Sequence, residues 1–573
     1  MAIDVIQRLM AVPGERTALV EGERRLTFAE LRERVARVSG GLARRGAGPE
    51  SVVALMLPRG IDLVICLLGT LAAGAAYVPI DPKLPVKRRA YLLRDCGASL
   101  VVAGAAAAPD EVAVTPGELV SRAPEREPAR VSGDTLAYVI YTSGSTGAPK
   151  GVQVSRASLA ALLASLEGAG LTSTAPARVG WNAAASFDAS VQQWVRLCRG
   201  DTVVIVPETV RSDPEALARL AADEELTCLD ITPSHLDLVL DRLEPGELTL
   251  LVGGEAISQS LWDRIAGATA AGGPRAANVY GPTECTVDAT FAWITQDTGP
   301  HLGEPLPGGR LRLLDDELNP VPAGMVGEIC LSGPGVARGY LGRPGLTALS
   351  FLPDAEAADG SRMYRTGDLA RRTPDGRLEF AGRRDHQVKL SGYRIELGEI
   401  EAVLAQAPGV AECVVLLRDD LDTGRGLVAY CRTGEEPAGP GQWRAHLEAH
   451  LPAYMVPAAF VALDAFPLTS HGKLDRGALP RPTRHGAAGT PQRGTPTEEL
   501  IAAAWRQVLR APHISGTDNF FRLGGHSLLA IKVVSCLKKE LGLTVTMDTV
   551  FRYPVLRDLA AHVDSLRGAD LPA

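Results

Sequence analysis

Short apolar runs alternate with amphipathic stretches along the first 380 or so residues. "SVVALML" (Ser51 to Leu57) and "DTVVIVP" (Asp201 to Pro207) read as buried strands. "TFAELRERVARVSGGLARRG" (Thr27 to Gly46) spaces its apolar residues three and four apart, which predicts a helix. Strands alternating with helices predict an α/β core with largely parallel sheets. From Gly382, "GRRDHQVKLSGYRIELGEIEAVLAQAPGV" opens a smaller α+β unit, with a helix from Leu397 and strands at "ECVVLLR" and "LVAYCR". "PRPTRHGAAGTPQRGTP" (Pro480 to Pro496) is nearly free of large apolar residues and reads as a flexible linker. Beyond it the period becomes helical. "TPTE" (Thr495 to Glu498) fits a capping box with proline at the first helical position. Leu500, Ile501, Ala504, Trp505, Val508 and Leu509 follow at helical spacing, in a closing module of about four helices. The expected division is 1–382, 383–480, a linker at 481–495, and 496–573. No internal repeat is visible.

Composition narrows the class. The 573 residues are 46% hydrophobic, ample for packed cores. A net charge of −8 leaves no basic footprint for nucleic acid. Nine scattered cysteines without C-x-x-C spacing suit a reducing cytoplasm rather than a disulfide framework or zinc site. The first residues carry Asp4 and Arg8 and lack a signal-peptide core. "LVICLLGTLAAGAAYVPI" (Leu63 to Ile80) is long enough to raise the question of a membrane span. Gly69, Gly74 and Pro79 break it, so a buried helix running into a turn at "PIDP" is expected, and no membrane partner.

Candidate chemistry begins at "YVIYTSGSTGAPKGV" (Tyr138 to Val152). A strand leads into glycines and hydroxyls, then a lysine, and "GVQV" looks like another strand. Such a loop offers N–H groups and little bulk, which suits a phosphate. It is not a P-loop, because Ala148 and Pro149 separate Gly147 from Lys150. A surface turn would have the same composition. Further segments follow in order: "NVYGPTE" (from Asn278), "YRTGDLARR" (from Tyr364), "GRRDHQVKLSGYRIELGEIE" (from Gly382) and "HGKLDR" (from His471). Together these five closely resemble the adenylate-forming enzymes, and more narrowly the amino-acid adenylation domains of nonribosomal peptide synthetases. The resemblance covers about residues 10–480. One departure is the His471 of "HGKLDR", where the family usually has asparagine. "DNFFRLGGHSLLAIKVV" (from Asp518) resembles the peptidyl carrier domain, whose serine, here Ser527, receives 4′-phosphopantetheine. Ser527 could also simply cap the apolar helix that follows it.

The resemblance implies a two-step reaction. An amino-acid carboxylate attacks the α-phosphorus of ATP, giving aminoacyl-AMP and pyrophosphate; the pantetheine thiol then takes the acyl group. The first step needs two anions held in line and neutralised, not a protein nucleophile. By resemblance, Thr142, Ser143, Gly144, Ser145, Thr146 and Gly147, with Lys150, cradle the leaving pyrophosphate. Glu284 matches the Mg²⁺ ligand. Tyr280 flanks the adenine, Asp368 accepts the ribose hydroxyls and Arg383 assists. The ATP-binding set extends to Gly254, Glu255, Ala256, Asn278, Gly281, Thr283 and Phe380. Lys473 bridges substrate carboxylate and α-phosphate as a mobile point charge. Asp385 sits at the family's hinge, and Lys389 and Gly392 lie on the loop that serves thiolation, Gly392 leaving a path for the pantetheine arm.

Asp188, in "SFDASVQQW", falls where the family binds an α-ammonium. Alignment then gives the side-chain pocket as Asp188, Ala189, Gln192, Asp230, Leu251, Gly253, Val279, Val287, Asp288 and Lys473. The string DAQDLGVVDK resembles the family's glutamine signature. A mostly apolar wall with Gln192, Asp230 and Asp288 at its far end suits a primary amide, while a carboxylate would meet uncompensated negative charge. Glutamate or another polar amino acid is the alternative. An acyl-CoA synthetase is disfavoured by Asp188 and Ser527, and a non-catalytic carrier scaffold by the presence of Lys473, Glu284 and Asp368. Neither "HHxxxDG" nor "GxSxG" occurs, so these residues are expected to load an amino acid, not to form or release a peptide. Expected partners are a phosphopantetheinyl transferase, condensation, tailoring or thioesterase enzymes acting on the loaded carrier, and the MbtH-type accessory protein that some members need.

Overall fold

The computed structural model describes residues 3–104, 113–120, 126–144, 147–357, 359–390, 392–421, 424–434, 438–469, 471, 473–482, 494–509, 511, 513–521, 523, 525, 527–541, 545 and 547–569. Two compact units share the chain. The first comprises Met1–Ser143, Pro149–Pro207 and Glu215–Arg394; the second comprises Gly144–Ala148, Glu208–Pro214 and Ile395–Ala573.

The first unit contains a nine-stranded and a seven-stranded sheet. In the larger sheet, six neighbours run parallel in the order Arg275–Tyr280, Thr249–Gly253, Cys228–Ile231, Arg178–Trp181, Thr202–Ile205 and Thr17–Glu21. Antiparallel strands flank them on both sides. In the smaller sheet Leu136–Thr142, Ala76–Pro79, Val52–Met56, Leu100–Ala103 and Ala113–Val114 are parallel, and Lys150–Ser155 folds back antiparallel on Leu136–Thr142. Central strands are buried on both faces, which is why they read as unbroken apolar runs. The expected helix from Thr27 forms as Phe28–Ala43, its capping box closed by Thr27 and Glu30. A five-stranded antiparallel sheet over residues 310–383 was not foreseen.

The apolar run from Leu63 corrects one expectation. Its helix is buried but ends at Ala72. Gly74 turns the chain at positive φ, and Ala76–Pro79 is a central strand, not part of the turn. Small residues there let a strand enter the sheet interior. No helix among the described residues is long and apolar enough to cross a membrane. All nine cysteines are free.

In the second unit the helix Leu397–Leu404 precedes a sheet of Val410–Leu421, Gly424–Thr433 and Ala459–Leu463. Four helices follow among the described residues: Pro496–Leu509, Ser527–Leu541, Met547–Arg552 and Leu556–Ala569. The capping box at Thr495 and Glu498 forms reciprocally, at 3.3 and 3.2 Å. Ile501, Trp505, Phe520, Val533, Leu537 and Leu559 share one core, so these helices bury an apolar centre of their own. Most of the expected linker, residues 483–493, lies outside the described residues.

Candidate active site

Parallel strands deliver their carboxyl ends to one edge of a sheet, the usual place for a ligand in an open α/β fold. Asp230 pairs in register with Leu251, and Gly253 with Val279, on three adjacent strands. The short helix Ala189–Trp194 supplies Gln192. Its N-cap is Asp188, which accepts from Ala189 N–H at 2.9 Å. Gln192 and Gln193 both donate through Nε2 to Asp230 Oδ2, the second at 3.0 Å. Gln193 was missed by sequence reasoning, since the alignment assigns it no role.

The electrostatics of these acids are unusual. Burial raises the Asp230 pKa to about 6, against the lowering effect of Gln193 and Gln192. Burial, then Asp230 and Asp188, hold the Asp288 carboxyl well above the usual range. Asp188 is also raised, by burial first. Of the residues aligned to the side-chain pocket, two have a buried atom with no hydrogen-bond partner among the described residues: Gln192 Oε1 and Asp288 Oδ2. Asp288 follows a backbone kink. Thr286 and Val287 have φ of 60° and 76°, and Asp288 N–H donates to Thr286 C=O at 3.1 Å. A β-branched residue at such a φ is strained, and the turn aims the next side chain.

A second cluster surrounds Glu284, which lies in the turn Thr283–Cys285 and is fully buried. Tyr340 OH donates to its Oε1 at 2.8 Å, and Lys150 Nζ stands 3.2 Å from the same oxygen. Arg394 Nη1 donates to Oε2 at 2.7 Å. Burial alone would raise this carboxyl, but Arg394 and Lys150 outweigh it and hold it well below the usual range. Lys150 also donates to Tyr340 OH at 3.0 Å and lies over that ring. The lysine expected in a phosphate cradle is therefore a partner of Glu284 here. Tyr340 and Arg394 were not singled out from sequence; Tyr340 lies outside all five motifs.

A third cluster joins Tyr280, Asp368, Arg383 and Asp385. Tyr280 OH donates to Asp368 Oδ2 at 2.6 Å, and Arg383 donates to Asp368 Oδ1. Arg383 also grips Asp385 through two bonds of 2.6 and 2.7 Å. The proposed ribose residue and the proposed hinge residue are thus tied by one guanidinium. Lys389 Nζ lies 5.2 Å from the Tyr280 ring centroid, and burial lowers its pKa.

The remaining expected residues are distributed over both units. Thr142 Oγ1 is buried without a partner among the described residues, and Ser143 Oγ donates to Arg394 C=O at 2.9 Å. Gly147 N–H closes on Gly144 C=O at 3.1 Å. A Cβ on Gly144 would sit 1.9 Å from Ala148 O, so the loop is built for glycine. Ser145 and Thr146 lie outside the described residues. Asn278 Nδ2 donates to His301 C=O, and Glu255 accepts from Ser234. Thr283 is buried, and a Cβ on Gly281 would meet Val287 O at 2.2 Å. Gly254 has φ 83°, with Gly392 Cα 3.7 Å from where its Cβ would stand. Ala256 is exposed, as is Phe380. Lys473 belongs to the second unit and is exposed there. Ser527 is the first residue of its helix.

Comparison with known proteins places this arrangement. Residues 6–341 match the family model for the AMP-binding enzyme, 399–473 that for the AMP-binding enzyme C-terminal domain, and 499–563 that for the phosphopantetheine attachment site. CymA of Salinispora arenicola, named as a nonribosomal peptide synthetase, is 43% identical over 586 residues, covering 99% of this chain and 7% of CymA. Phosphinothricin tripeptide synthetase PhsC of Streptomyces viridochromogenes is 39% identical over 579 residues, covering 97% of this chain and 52% of PhsC. The chain therefore spans only part of the curated relatives it matches. The solved structure of holo-PA1221, a nonribosomal peptide synthetase protein containing adenylation and PCP domains, superposes with a TM-score of 0.82 at 27% identity, over 98% of this chain and 97% of that one.

Proposed function

The chain belongs to the AMP-binding enzymes, as an adenylation unit with a carrier domain of the nonribosomal-peptide-synthetase type, and from that premise we propose that it activates L-glutamine with ATP and loads it onto its own carrier. The observation that carries the choice of substrate is the pair of unsatisfied buried atoms, Gln192 Oε1 and Asp288 Oδ2. Buried polar groups are ordinarily paired, so two orphans among the residues aligned to the side-chain pocket suit a substrate that pairs with both. Gln192 Oε1 can only accept. Asp288, whose carboxyl is pushed well above the usual range by burial, can donate in its protonated form. A primary amide answers both, giving N–H to Gln192 and taking O–H from Asp288.

In this reading Asp188 holds the α-ammonium as a carboxylate. Lys473 meets the substrate carboxylate and α-phosphate. Tyr280, Asp368 and Arg383 orient the nucleoside. Thr142 to Gly147 receive the pyrophosphate with backbone amides and hydroxyls. The roles given by resemblance to Gly254, Glu255, Ala256, Asn278, Gly281, Thr283 and Phe380, and the limits of the mobile small subdomain and linker, belong to the same proposal. No cluster of three or more His, Cys, Asp or Glu among the described residues could hold a metal by protein ligands alone. A single ionised carboxylate fits Mg²⁺, which takes one or two carboxylates and fills the rest of its shell with phosphate oxygens and water. Glu284 would hold it, and the ion would neutralise phosphate charge there. The 4′-phosphopantetheine arm, once attached at Ser527, supplies the thiol that takes the aminoacyl group. A phosphopantetheinyl transferase, enzymes acting on the loaded carrier, and an MbtH-type accessory protein are the proposed partners, in the cytoplasm.

The test is ATP–pyrophosphate exchange across a panel of amino acids, with glutamine expected to give the highest kcat/KM. Gln192→Lys should shift preference towards glutamate, because a cation offsets the acids and removes the amide's acceptor. A charged hydrogen bond contributes roughly 1.5–3 kcal/mol, so the glutamine-to-glutamate ratio should fall about ten- to a hundredfold. A ratio that does not move would mean Gln192 does not face the side chain.

A further inference from the structure

Both oxygens of Glu284 already carry a cation. Lys150 Nζ stands 3.2 Å from Oε1, backed by the Tyr340 hydroxyl at 2.8 Å, and Arg394 Nη1 stands 2.7 Å from Oε2. The two cations are held differently. The Lys150 side chain is 9% exposed, lies over the Tyr340 ring and comes from a sheet strand. The Arg394 side chain is 18% exposed and comes from the short strand Tyr393–Glu396. Its main chain is also held in this arrangement. Its carbonyl accepts from Ser143 Oγ at 2.9 Å, and the neighbouring Tyr393 ring packs edge-on against Phe187 with centroids 4.9 Å apart.

A divalent cation binding this carboxylate meets that guanidinium. A metal and an arginine cannot share one oxygen at contact distance without strong like-charge repulsion. When the metal departs, Lys150 still faces Oε1 of the fully buried Glu284, but Oε2 is left unpaired unless Arg394 returns. We propose that Arg394 is the internal counter-ion of Glu284, displaced from Oε2 when a divalent cation enters and returned when it leaves. Arg394 then sets how much metal the enzyme requires while touching neither substrate nor metal, as a positioning residue. Lys150, on the other oxygen, stays in place throughout. This inference rests on the reading of Glu284 as the metal-binding carboxylate.

The experiment is a Mn²⁺ titration of the full chain holding a non-cleavable ATP analogue, with bound metal read by electron paramagnetic resonance. Arg394→Gln removes the competing charge, so half-saturation should come at about tenfold lower Mn²⁺. Arg394→Lys retains a cation and should stay within about twofold of the parent. It also guards against a Gln variant that folds poorly, which thermal unfolding would reveal. Glu284→Gln should weaken Mn²⁺ binding. If it does so while Arg394→Gln leaves the midpoint unchanged or higher, displacement is wrong and the Glu284 reading stands. If Glu284→Gln leaves Mn²⁺ binding unchanged, the Glu284 reading itself falls.

Discussion

One oxygen of Asp230 takes the Nε2 groups of both Gln192 and Gln193, and yet burial keeps its pKa at about 6. The group is ionised above that pH and neutral below it. A substrate γ-carboxylate meets the Asp230 charge at pH 7.5, when only about 3% of Asp230 is protonated, and largely escapes it at pH 5.5, when about three quarters is. A neutral amide is far less sensitive. Two unit charges about 6 Å apart repel by roughly 3 kcal/mol at an effective dielectric of 20. The glutamine-to-glutamate ratio of kcat/KM should therefore fall about tenfold from pH 7.5 to 5.5. Taking the ratio cancels titrations, such as that of Asp188, that affect both substrates alike. Asp230→Asn should give a lower ratio that no longer varies with pH. A parent ratio flat across this range would exclude Asp230 from reading the side chain. At this scale the sequence conveyed residue types and, through the family motifs, their grouping. It did not convey that Lys150 turns to Glu284, or that Tyr340 and Arg394 complete that cluster. Those contacts depend on sheet packing that brings positions 150, 284, 340 and 394 together, and no local spacing encodes it.

Elements were more legible where a local rule fixes them. The capping box at Thr495 reads from sequence as Thr followed three residues later by Glu; the one at Thr27 has the same spacing and was not singled out. The helix beginning at Leu397 was legible, and several buried strands were legible as unbroken apolar runs. What escaped was the five-stranded antiparallel sheet and the strand Ala76–Pro79, because a short apolar run does not distinguish helix from strand. The pair Gln387–Leu390 and Tyr393–Glu396 shows how far local reading reaches. Gly392 directly precedes the second strand, and glycine is what a turn with positive φ asks for. Gly392 has φ 79°, but sequence could not show that a Cβ there would stand 2.7 Å from Thr232 Cγ2. Gly392→Leu meets both obstacles, so it should prevent this loop from seating against Thr232. On the thiolation role that the resemblance implies for this loop, pyrophosphate exchange should persist within about threefold while carrier loading slows by tenfold or more, a loss of at least about 1.4 kcal/mol in that step. Equal damage to both half-reactions would place Gly392 in nucleotide binding instead.

At the scale of the whole molecule, one chain holds an AMP-binding unit and a helical unit of the phosphopantetheine-attachment family. On the proposed reading, Ser527 is where the two activities should separate by mutation. It begins the helix Ser527–Leu541, and a phosphodiester at a helix N-terminus is favoured by the dipole and the unpaired amides. Replacing a serine at such a position costs at most about 1–2 kcal/mol. The helical unit buries Trp505, Phe520, Val533 and Leu537 in its own core, so Ser527→Ala should stay folded. Incubation of the parent with a phosphopantetheinyl transferase and coenzyme A should add one arm by intact-protein mass, and Ser527→Ala should add none. The variant should keep parental pyrophosphate exchange, since adenylation needs nothing from the carrier, while radiolabelled glutamine should no longer remain with the precipitated protein. An arm appearing on Ser527→Ala would put the attachment site elsewhere. Retained label without an arm would mean that the chain accepts the acyl group on a protein side chain.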